Sequence, residues 1–177
     1  MGLPEILTER LTIAALSLKE LEWYLNDPFH LEKELGFAVS REAISEVVNR
    51  AMRIKSLKMS AAPASDHAWY TYWLVIVNAV PFGAGLAGFK GVPNERGEVE
   101  IGYGIDPAYR SRGYTTEAVS ALVDWALRQP RCTSVTAETH KSNTPSIRVL
   151  QKIGMQLVSE TEEAYFWEIR GSAVGKD

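Results

Sequence analysis

The sequence predicts an α/β fold in which one mixed, mostly antiparallel sheet of about seven strands carries helices on both faces. Two observations predict it. The chain has 177 residues, of which 46% are hydrophobic, so it is long enough to fill the core of one domain. Along it, strand patterns separated by short turns give way to alternating strand and helix patterns. We expect a single domain over residues 1–177, with its core at about 7–170.

The first elements follow from alternation and from capping residues. Residues 11–15 alternate in hydrophobicity, which predicts a strand. Ser17 suits the N-cap of a helix that runs to about Asn26, where an Asp-Pro pair ends it. Ser40 suits the N-cap of a second helix over 41–59, whose apolar residues recur at helical spacing.

Three strands follow in a predicted antiparallel meander. Residues 70–77 are rich in aromatic and β-branched side chains, which favour a strand. Strands over 86–90 and 99–105 come next, and a turn that contains Pro, Asn and Gly precedes each of them.

Strands and helices alternate in the last third of the chain. A helix over 115–127 and a strand over 134–139 precede a helix that Thr144 is expected to cap, with Pro145 in its first turn. Gly154 suits the left-handed stop of that helix. Two strands close the sheet, at 155–159 and 165–169.

Charge and residue usage exclude several functions. The formal net charge is −3, so no basic field is present to hold a nucleic acid. Cys132 is the only cysteine, and His30, His67 and His140 lack the spacing of zinc ligands. No apolar run approaches the roughly 20 residues that span a bilayer, and the N-terminus lacks a signal-peptide pattern. We expect a cytoplasmic protein with no metal and no nucleic-acid or membrane partner.

Residues 83–88 satisfy the Gly-x-Gly-x-x-Gly pattern literally. A dinucleotide site of this kind needs a helix directly after the glycines, whose N-terminus holds the pyrophosphate. The sequence that follows, 89–93, is too short and too broken to form that helix. The pattern therefore predicts a glycine-rich hairpin that enters a strand.

A second glycine-containing loop, 109–115, lies between a predicted strand and a predicted helix. A helix N-terminus presents unpaired N–H groups and the positive end of its dipole. Gly113 allows a close approach to the backbone, and Arg110 and Arg112 add positive charge. These features suit a phosphate-bearing ligand, although an ordinary loop with two solvated arginines accounts for the same residues.

In this region the sequence resembles a known family. The pattern Arg110-x-x-Gly113-x-Thr115 is similar to the pyrophosphate loop of the GNAT superfamily of acyl-CoA-dependent N-acetyltransferases, in which Gly or Ala usually replaces Thr115. Residues 143–155 resemble the branch that contains ribosomal-protein N-terminal alanine acetyltransferases. The resemblance extends to the stretches 100–107, 116–118 and 7–11.

The resemblance implies a GNAT-like sheet that is splayed at a coenzyme site, between the strands at 99–105 and 134–139. Acetyl-CoA would be the co-substrate, with its pyrophosphate on the N–H groups of 112–115 and its pantetheine arm along Tyr103 and Ile105. The residues implied for coenzyme binding are Tyr103, Ile105, Arg110, Ser111, Arg112, Gly113, Tyr114, Thr115, Asn143 and Ser146.

Two of these residues have a specific implied role. The Ile105 N–H would polarise the thioester carbonyl and hold the developing oxyanion. Asn143 precedes its helix, so its amide would be free to contact the pantetheine arm.

Amine acetylation needs a base, because an ammonium group cannot attack a thioester. Glu138, near the end of its strand, matches the position of a catalytic glutamate in the ribosomal-protein acetyltransferases. Glu100 and Glu98 on the neighbouring strand are alternatives. His140 follows the strand of Glu138, where a solvated loop histidine is the simpler interpretation.

The leaving thiolate has a pKa near 8.5 and needs only modest help from an acid. Many members of the superfamily place a tyrosine seven residues after the asparagine, where this chain has Leu150. Ser146 is the nearest hydroxyl by family position, as acid or as a simple hydrogen-bond donor. Further hydroxyl candidates are Tyr103, Tyr114 and Tyr165.

The expected function is transfer of an acetyl group from acetyl-CoA to a primary amine, on a protein N-terminus or a small molecule. The transfer would proceed by direct attack in a ternary complex, because no placed nucleophile suggests a covalent intermediate. The alternative is a non-catalytic acyl-CoA-binding or sensing module, which Leu150 favours. We expect a monomer or a homodimer.

Overall fold

A computed structural model describes residues 3–171, and within them one sheet has the strand order β1-β2-β3-β4-β5-β6-β8-β7. The strands are β1 Glu5–Leu7, β2 Leu11–Ala15, β3 Trp73–Val77, β4 Phe82–Phe89, β5 Glu98–Ile105, β6 Ser134–His140, β7 Gln156–Glu160 and β8 Ala164–Arg170. The helices are α1 Leu18–Asn26, α2 Pro28–Leu35, α3 Glu46–Ala61, α4 His67–Tyr70, α5 Tyr114–Leu127 and α6 Thr144–Lys152.

The sheet is mixed, as predicted. Six of its neighbouring pairs are antiparallel, and only β5 and β6 run parallel. The described residues hold one strand more than the seven expected, because the short edge strand β1 pairs with β2. The α/β fold class is thereby confirmed.

Helices cover both faces of the sheet, and each face has its own core. On one face α5 packs on apolar side chains such as Trp73, Val99 and Val135. On the other face α1, α2 and α3 pack on Leu74 and Leu86. Burial of these apolar side chains is the main favourable term in the stability of the fold.

The predicted cap of α1 is correct. Ser17 Oγ accepts a hydrogen bond from the Glu20 N–H at 3.2 Å, and the Glu20 carboxylate accepts one from the Ser17 N–H at 2.7 Å. This reciprocal pair is a capping box. The Asp-Pro pair ends α1 as expected, but it also starts α2, with Asp27 as N-cap and Pro28 in the first turn.

The predicted start of α3 is wrong. The helix begins at Glu46 with Ser45 as its N-cap, instead of at residue 41 with Ser40. The Ser40 hydroxyl instead donates to Asp106 Oδ2 at 2.6 Å, and both residues are buried. The same hydroxyl accepts a hydrogen bond from the Ala43 N–H at 3.0 Å, so Ser40 does cap a turn, but that turn at 41–43 does not continue into the helix.

The strand predicted over 70–77 is shorter than expected, because β3 starts only at Trp73. The preceding residues form the short helix α4, in which Trp69 packs against Trp125 with ring centroids 4.8 Å apart. Core packing therefore overrides the strand preference of these aromatic residues. Strand β4 starts at Phe82, four residues before its predicted start.

The glycine pattern at 83–88 serves packing within β4, as predicted for a hairpin that enters a strand. A Cβ atom on Gly85 would lie 2.5 Å from the carbonyl oxygen of Gly104 on β5. A Cβ atom on Gly88 would lie 2.9 Å from the carbonyl oxygen of Thr71. The glycines thus permit close backbone approach inside the sheet.

The N-cap of α6 is Asn143, not the predicted Thr144. Its Oδ1 atom accepts a hydrogen bond from the Ser146 N–H at 3.2 Å. Pro145 lies in the first turn, as expected. Gly154 follows the helix with φ +87°, the left-handed conformation predicted for it.

Candidate functional site

The sheet opens between β5 and β6. The two strands pair only through residues 98–100 and 134–136. Beyond that point β5 stays paired with β4 as far as Ile105, whereas β6 stays paired with β8 as far as His140. The strands therefore diverge into a gap at the place that the resemblance implies.

Backbone groups of β5 face this gap. The Asp106 N–H donates to the Ala84 carbonyl on the β4 side at 2.8 Å. Peptide groups alternate in direction along a strand, so those of Tyr103 and Ile105 point away from β4, towards the gap. An extended ligand with amide groups can pair with them as an added strand.

The loop after β5 turns tightly towards the start of α5. Asp106 Oδ1 accepts a hydrogen bond from the Ala108 N–H at 2.8 Å, which starts the turn. Ser111 and Gly113 have φ values of 60° and 83°, in the left-handed region. That conformation costs a residue other than glycine roughly 1 kcal/mol or more, so the loop holds Ser111 against a local preference.

The start of α5 offers free donors. Gly113 is its N-cap and has no side chain to accept a hydrogen bond from the first turn. The first N–H groups of a helix have no partner within the helix, and the positive end of its dipole lies beside them. This end of α5 is therefore suited to an anion.

A cavity of about 610 Å³ connects the gap to this helix start. Nine of the ten predicted coenzyme residues line it: Tyr103, Ile105, Arg110, Ser111, Gly113, Tyr114, Thr115, Asn143 and Ser146. Arg112 is the exception and lies outside the lining. Its carbonyl oxygen accepts a hydrogen bond from Arg10 at 2.9 Å, and its guanidinium lies 5.5 Å from the centre of the Tyr109 ring.

Two cations that the sequence prediction missed also line the cavity. Arg148 and Lys152 are four residues apart on α6, so they lie on one face of the helix. Their spacing of four residues is the sequence signal from which a cationic face of α6 could have been predicted. Together with Arg110 they surround the cavity with positive charge, although the whole chain is acidic.

Two hydroxyl groups meet on the α6 side of the gap. Tyr103 Oη and Ser146 Oγ are 2.8 Å apart. Burial raises the pKa of Tyr103 to about 12, while the hydrogen bond with Ser146 acts in the opposite direction. The phenol is therefore protonated at physiological pH. Asn143 caps α6 through its oxygen, so its amide is not wholly free, contrary to expectation.

The candidate bases lie on the opposite face of the sheet. Glu100 pairs with Thr136 across the two strands, and Glu138 follows two residues later, so Glu100 and Glu138 share one face. Glu100 forms an ion pair with Lys90 at 2.5 Å. Glu138 is exposed and makes no side-chain hydrogen bond or ion pair within residues 3–171.

The remaining candidates for the base and the acid lie in several different places. His140 is exposed at the end of β6, and Tyr165 lies on β8 under Lys141, whose Nζ is 5.0 Å from the ring centre. Tyr114 lines the cavity at the start of α5. Leu150 is fully buried in the core and does not line the cavity.

Two negative findings complete the description. In residues 3–171 no group of three or more His, Cys, Asp or Glu side chains is placed to hold a metal ion. None of the helices described for this chain has the length and apolar character that a membrane span requires.

An open mixed sheet with a backbone-lined gap and a cationic helix start defines an α/β protein whose gap is suited to an extended, phosphate-bearing ligand. The chain belongs to the GNAT acetyltransferases, since the family model described as acetyltransferase (GNAT) domain matches residues 10–156. It is an acetyltransferase by family.

Known proteins similar to this chain agree with that assignment. The uncharacterized N-acetyltransferase YjdG of Bacillus subtilis is 26% identical over 160 residues, which are 90% of this chain and 94% of YjdG. The ribosomal-protein-S5-alanine acetyltransferase of Vibrio fischeri has a similar fold, with a TM-score of 0.69 and 13% identity over 96% of this chain and 98% of that one.

A second solved structure is similar in fold and contains the coenzyme. RimL, the ribosomal L7/L12 alpha-N-protein acetyltransferase in complex with coenzyme A, has a TM-score of 0.66. It is 12% identical, with coverage of 94% of this chain and 98% of RimL. At this identity the likeness concerns the fold alone.

Proposed function

We propose that the protein transfers the acetyl group of acetyl-CoA to a primary amine by direct attack in a ternary complex. The observation that carries the proposal is the gap between β5 and β6. It presents the free peptide groups of Tyr103 and Ile105, and it leads to the uncapped start of α5. A pantetheine arm and a pyrophosphate need these two features in this order.

The coenzyme would lie with its pyrophosphate on the N–H groups of Gly113, Tyr114 and Thr115. Its pantetheine amides would pair with β5 as an added strand. The Ile105 N–H would hold the thioester carbonyl oxygen and stabilise the negative charge that develops on it. Arg148 and Lys152 would add a screened attraction for the phosphates.

The amine would approach from the face of the sheet that carries the carboxylates. Glu138 would accept a proton from the ammonium, directly or through a water molecule, so that the nitrogen lone pair can attack the carbonyl carbon. Its exposure and its lack of an ion pair in the described chain favour it over Glu100, which Lys90 already engages.

The thiolate would leave towards the opposite face. Collapse of the tetrahedral intermediate breaks the carbon–sulfur bond, and the electron pair stays on sulfur. The nitrogen loses its second proton in this step, and that proton passes through water to the thiolate. A thiolate whose conjugate acid has a pKa near 8.5 leaves with little assistance. The Ser146 hydroxyl, which is paired with Tyr103, would supply one hydrogen bond to it. Cys132 is no rival nucleophile, because burial raises the pKa of its thiol to about 11.

The acceptor would be the amine of a protein N-terminus or of a small molecule. The V. fischeri and RimL enzymes are named for ribosomal proteins, which supports peptides as the first acceptors to try. The single cysteine suits a reducing compartment, and we place the reaction in the cytoplasm.

A second candidate function is a non-catalytic acyl-CoA sensor. It is favoured by Leu150, which stands where many relatives in the superfamily would carry a tyrosine and is buried away from the cavity.

Two measurements together separate the two functions. Release of free thiol from acetyl-CoA is measured with N-terminal peptides, polyamines, amino acids and aminoglycosides as acceptors. Acetyl-CoA at about 100 times its Kd should also stabilise the fold by about 2.7 kcal/mol, while NAD should not. Stabilisation without turnover of any amine would identify the sensor. The absence of stabilisation would refute the coenzyme site itself.

A further inference from the structure

A group of three residues outside the cavity holds the proposed pyrophosphate loop from behind. Thr8 and Arg10 lie at the turn between β1 and β2, and Glu117 lies in the first turn of α5. None of the three lines the cavity. Glu117 is more than 100 residues from the other two in sequence, and the fold brings all three together directly beneath the loop.

The carboxylate of Glu117 is almost fully engaged by this turn. Its Oε1 atom accepts hydrogen bonds from the Thr8 hydroxyl at 2.6 Å and from the Arg10 N–H at 2.9 Å. Its Oε2 atom accepts from Arg10 Nε at 2.7 Å and lies 2.6 Å from Nη2. Two nitrogens of one guanidinium thus contact the same carboxylate oxygen, which orients the guanidinium in a way that the single nitrogen of a lysine cannot.

These contacts also alter the acidity of the carboxyl group. Burial raises the pKa of Glu117, but the hydrogen bonds from Thr8 and Arg10 outweigh it and hold the pKa below its usual range. The side chain of Glu117 is only 18% exposed, compared with 43% for Arg10. The carboxylate therefore remains charged and ordered at neutral pH.

The remaining nitrogen of Arg10 reaches the loop itself. Nη1 donates to the carbonyl oxygen of Arg112 at 2.9 Å, and the guanidinium lies 4.8 Å from the centre of the Tyr114 ring. A trans peptide is planar, with its C=O and N–H pointing in opposite directions. The Arg112 carbonyl points towards Arg10, so the Gly113 N–H of the same peptide points away from Arg10. It therefore points towards the cavity, which Gly113 lines.

A second peptide plane is fixed in the same way from within α5. The Glu117 N–H donates to the Gly113 carbonyl at 3.1 Å, which turns the N–H of Tyr114 outwards. Glu117 thus orients one donor through its backbone and, through Arg10, a second donor through its side chain.

We infer that Arg10 is a positioning residue for the coenzyme, which acts by aiming the Gly113 N–H at the pyrophosphate while Glu117 holds its guanidinium in place. This inference rests on the proposed coenzyme site. It predicts that Arg10 contributes to the affinity for the pyrophosphate only, because the loop meets no other part of the coenzyme in the proposed pose.

The test measures the Kd of acetyl-CoA by calorimetry for the wild-type protein and for Arg10→Ala. We expect the Kd to rise about tenfold, the scale of one hydrogen bond that involves a charged group. The KM of S-acetylpantetheine, which lacks the pyrophosphate, should change less than twofold. With saturating acetyl-CoA, kcat should change less than about threefold.

Two variants separate positioning from general stability. Arg131→Ala removes another partly exposed ion pair, with Asp66 at 3.0 Å, and neither of these residues lines the cavity. It should lower the Tm by a similar amount and leave the Kd of acetyl-CoA unchanged. Arg10→Lys retains a charge beside Glu117 but cannot also reach the Arg112 carbonyl in the same geometry. It should therefore weaken the binding of acetyl-CoA. If Arg10→Ala fails to fold, Arg10→Lys still provides the test.

Failure of this inference can be distinguished from failure of the proposed function. If the wild-type protein binds no acetyl-CoA, the coenzyme site and this inference both fail. If the wild type binds and neither Arg10 variant weakens binding, the inference alone is overturned. Equal losses for acetyl-CoA and S-acetylpantetheine would also overturn it, since they would indicate a general disturbance of the site.

Discussion

The two faces of the sheet at the gap differ in chemistry. On the face of α6, the hydroxyls of Tyr103 and Ser146 meet at 2.8 Å, and Arg148 and Lys152 line the cavity. On the opposite face Glu138 is exposed, with no cation paired to it in the described chain. One face offers hydrogen-bond donors and positive charge, whereas the other offers a proton acceptor.

This difference corresponds to the two needs of acetyl transfer. The coenzyme carries phosphates and releases a thiolate, both of which donors and cations stabilise. The acceptor arrives as an ammonium and must lose a proton. Substitutions on the carboxylate face should therefore lower kcat, whereas those on the coenzyme face should first weaken coenzyme binding.

The largest expected effect is that of Glu138→Gln, which retains the shape of the side chain and removes its basicity. Turnover at neutral pH should fall by roughly 100-fold or more, the usual scale for loss of a general base, with an unchanged Kd for acetyl-CoA. The deficit should shrink as the pH approaches the pKa of the acceptor amine, because free amine then becomes abundant.

The matched control is Glu100→Gln on the same face. It breaks the ion pair with Lys90 and should lower turnover only slightly. A large loss in Glu100→Gln together with a small loss in Glu138→Gln would transfer the role of base to Glu100. A pH-independent deficit in Glu138→Gln would indicate a structural role.

The next largest effect is expected from Gly113→Ala on the coenzyme face. Gly113 has φ +83°, and a Cβ atom there would lie 3.2 Å from Arg10 Nη2. The strain of about 1–2 kcal/mol should distort the loop and raise the Kd of acetyl-CoA roughly tenfold. Gly154→Ala carries similar strain at φ +87°, so it should lower the Tm without changing that Kd. Equal Kd values in both variants would refute the pyrophosphate assignment.

Ser146→Ala should have a smaller effect on turnover, about tenfold or less, because it removes one hydrogen bond of about 1 kcal/mol. The Tyr103 phenol has a raised pKa of about 12, so it stays protonated from pH 6 to 9, and the deficit should be constant over that range. Rates at saturating substrates across these pH values provide the measurement. A loss of several orders of magnitude with normal coenzyme binding would instead make Ser146 an indispensable acid.

Leu150→Tyr should change turnover least of all and should not accelerate it. Leu150 is fully buried outside the cavity, so a tyrosine there cannot reach the thiolate without displacing the core. Overpacking should cost about 1–3 kcal/mol of stability, which a thermal melt would record as a lower Tm. A marked acceleration at unchanged Tm would show that proton delivery limits the reaction.

The strand, loop and helix that form the proposed coenzyme site could be predicted well from the sequence, because their signals are local. A strand, a glycine-containing loop and a helix follow one another along the chain, and Gly113 and Gly154 adopt the left-handed conformations that glycine suits. Arg148 and Lys152 also have a local signal, since their spacing of four residues places both cations on one face of α6.

Other elements of the fold depend on contacts between distant residues, so local patterns were misleading there. Ser40 and Ser45 each cap a turn, but the hydroxyl of Ser40 is also bound to the buried Asp106, and the helix begins only after Ser45. Trp69 has strand character, but its packing against Trp125 places it in a short helix. No local signal in the sequence contains either contact.

The central claim is that the pantetheine arm pairs with β5 inside the gap, and amide exchange tests it most directly. Exchange rates of individual β5 amides are measured by NMR with and without acetyl-CoA. Tyr103, Ile105 and Gly113 should exchange more slowly with the coenzyme, whereas Gly104, which faces β4, should not change. Unchanged rates at Tyr103 and Ile105, or protection confined to residues 83–88, would contradict the account.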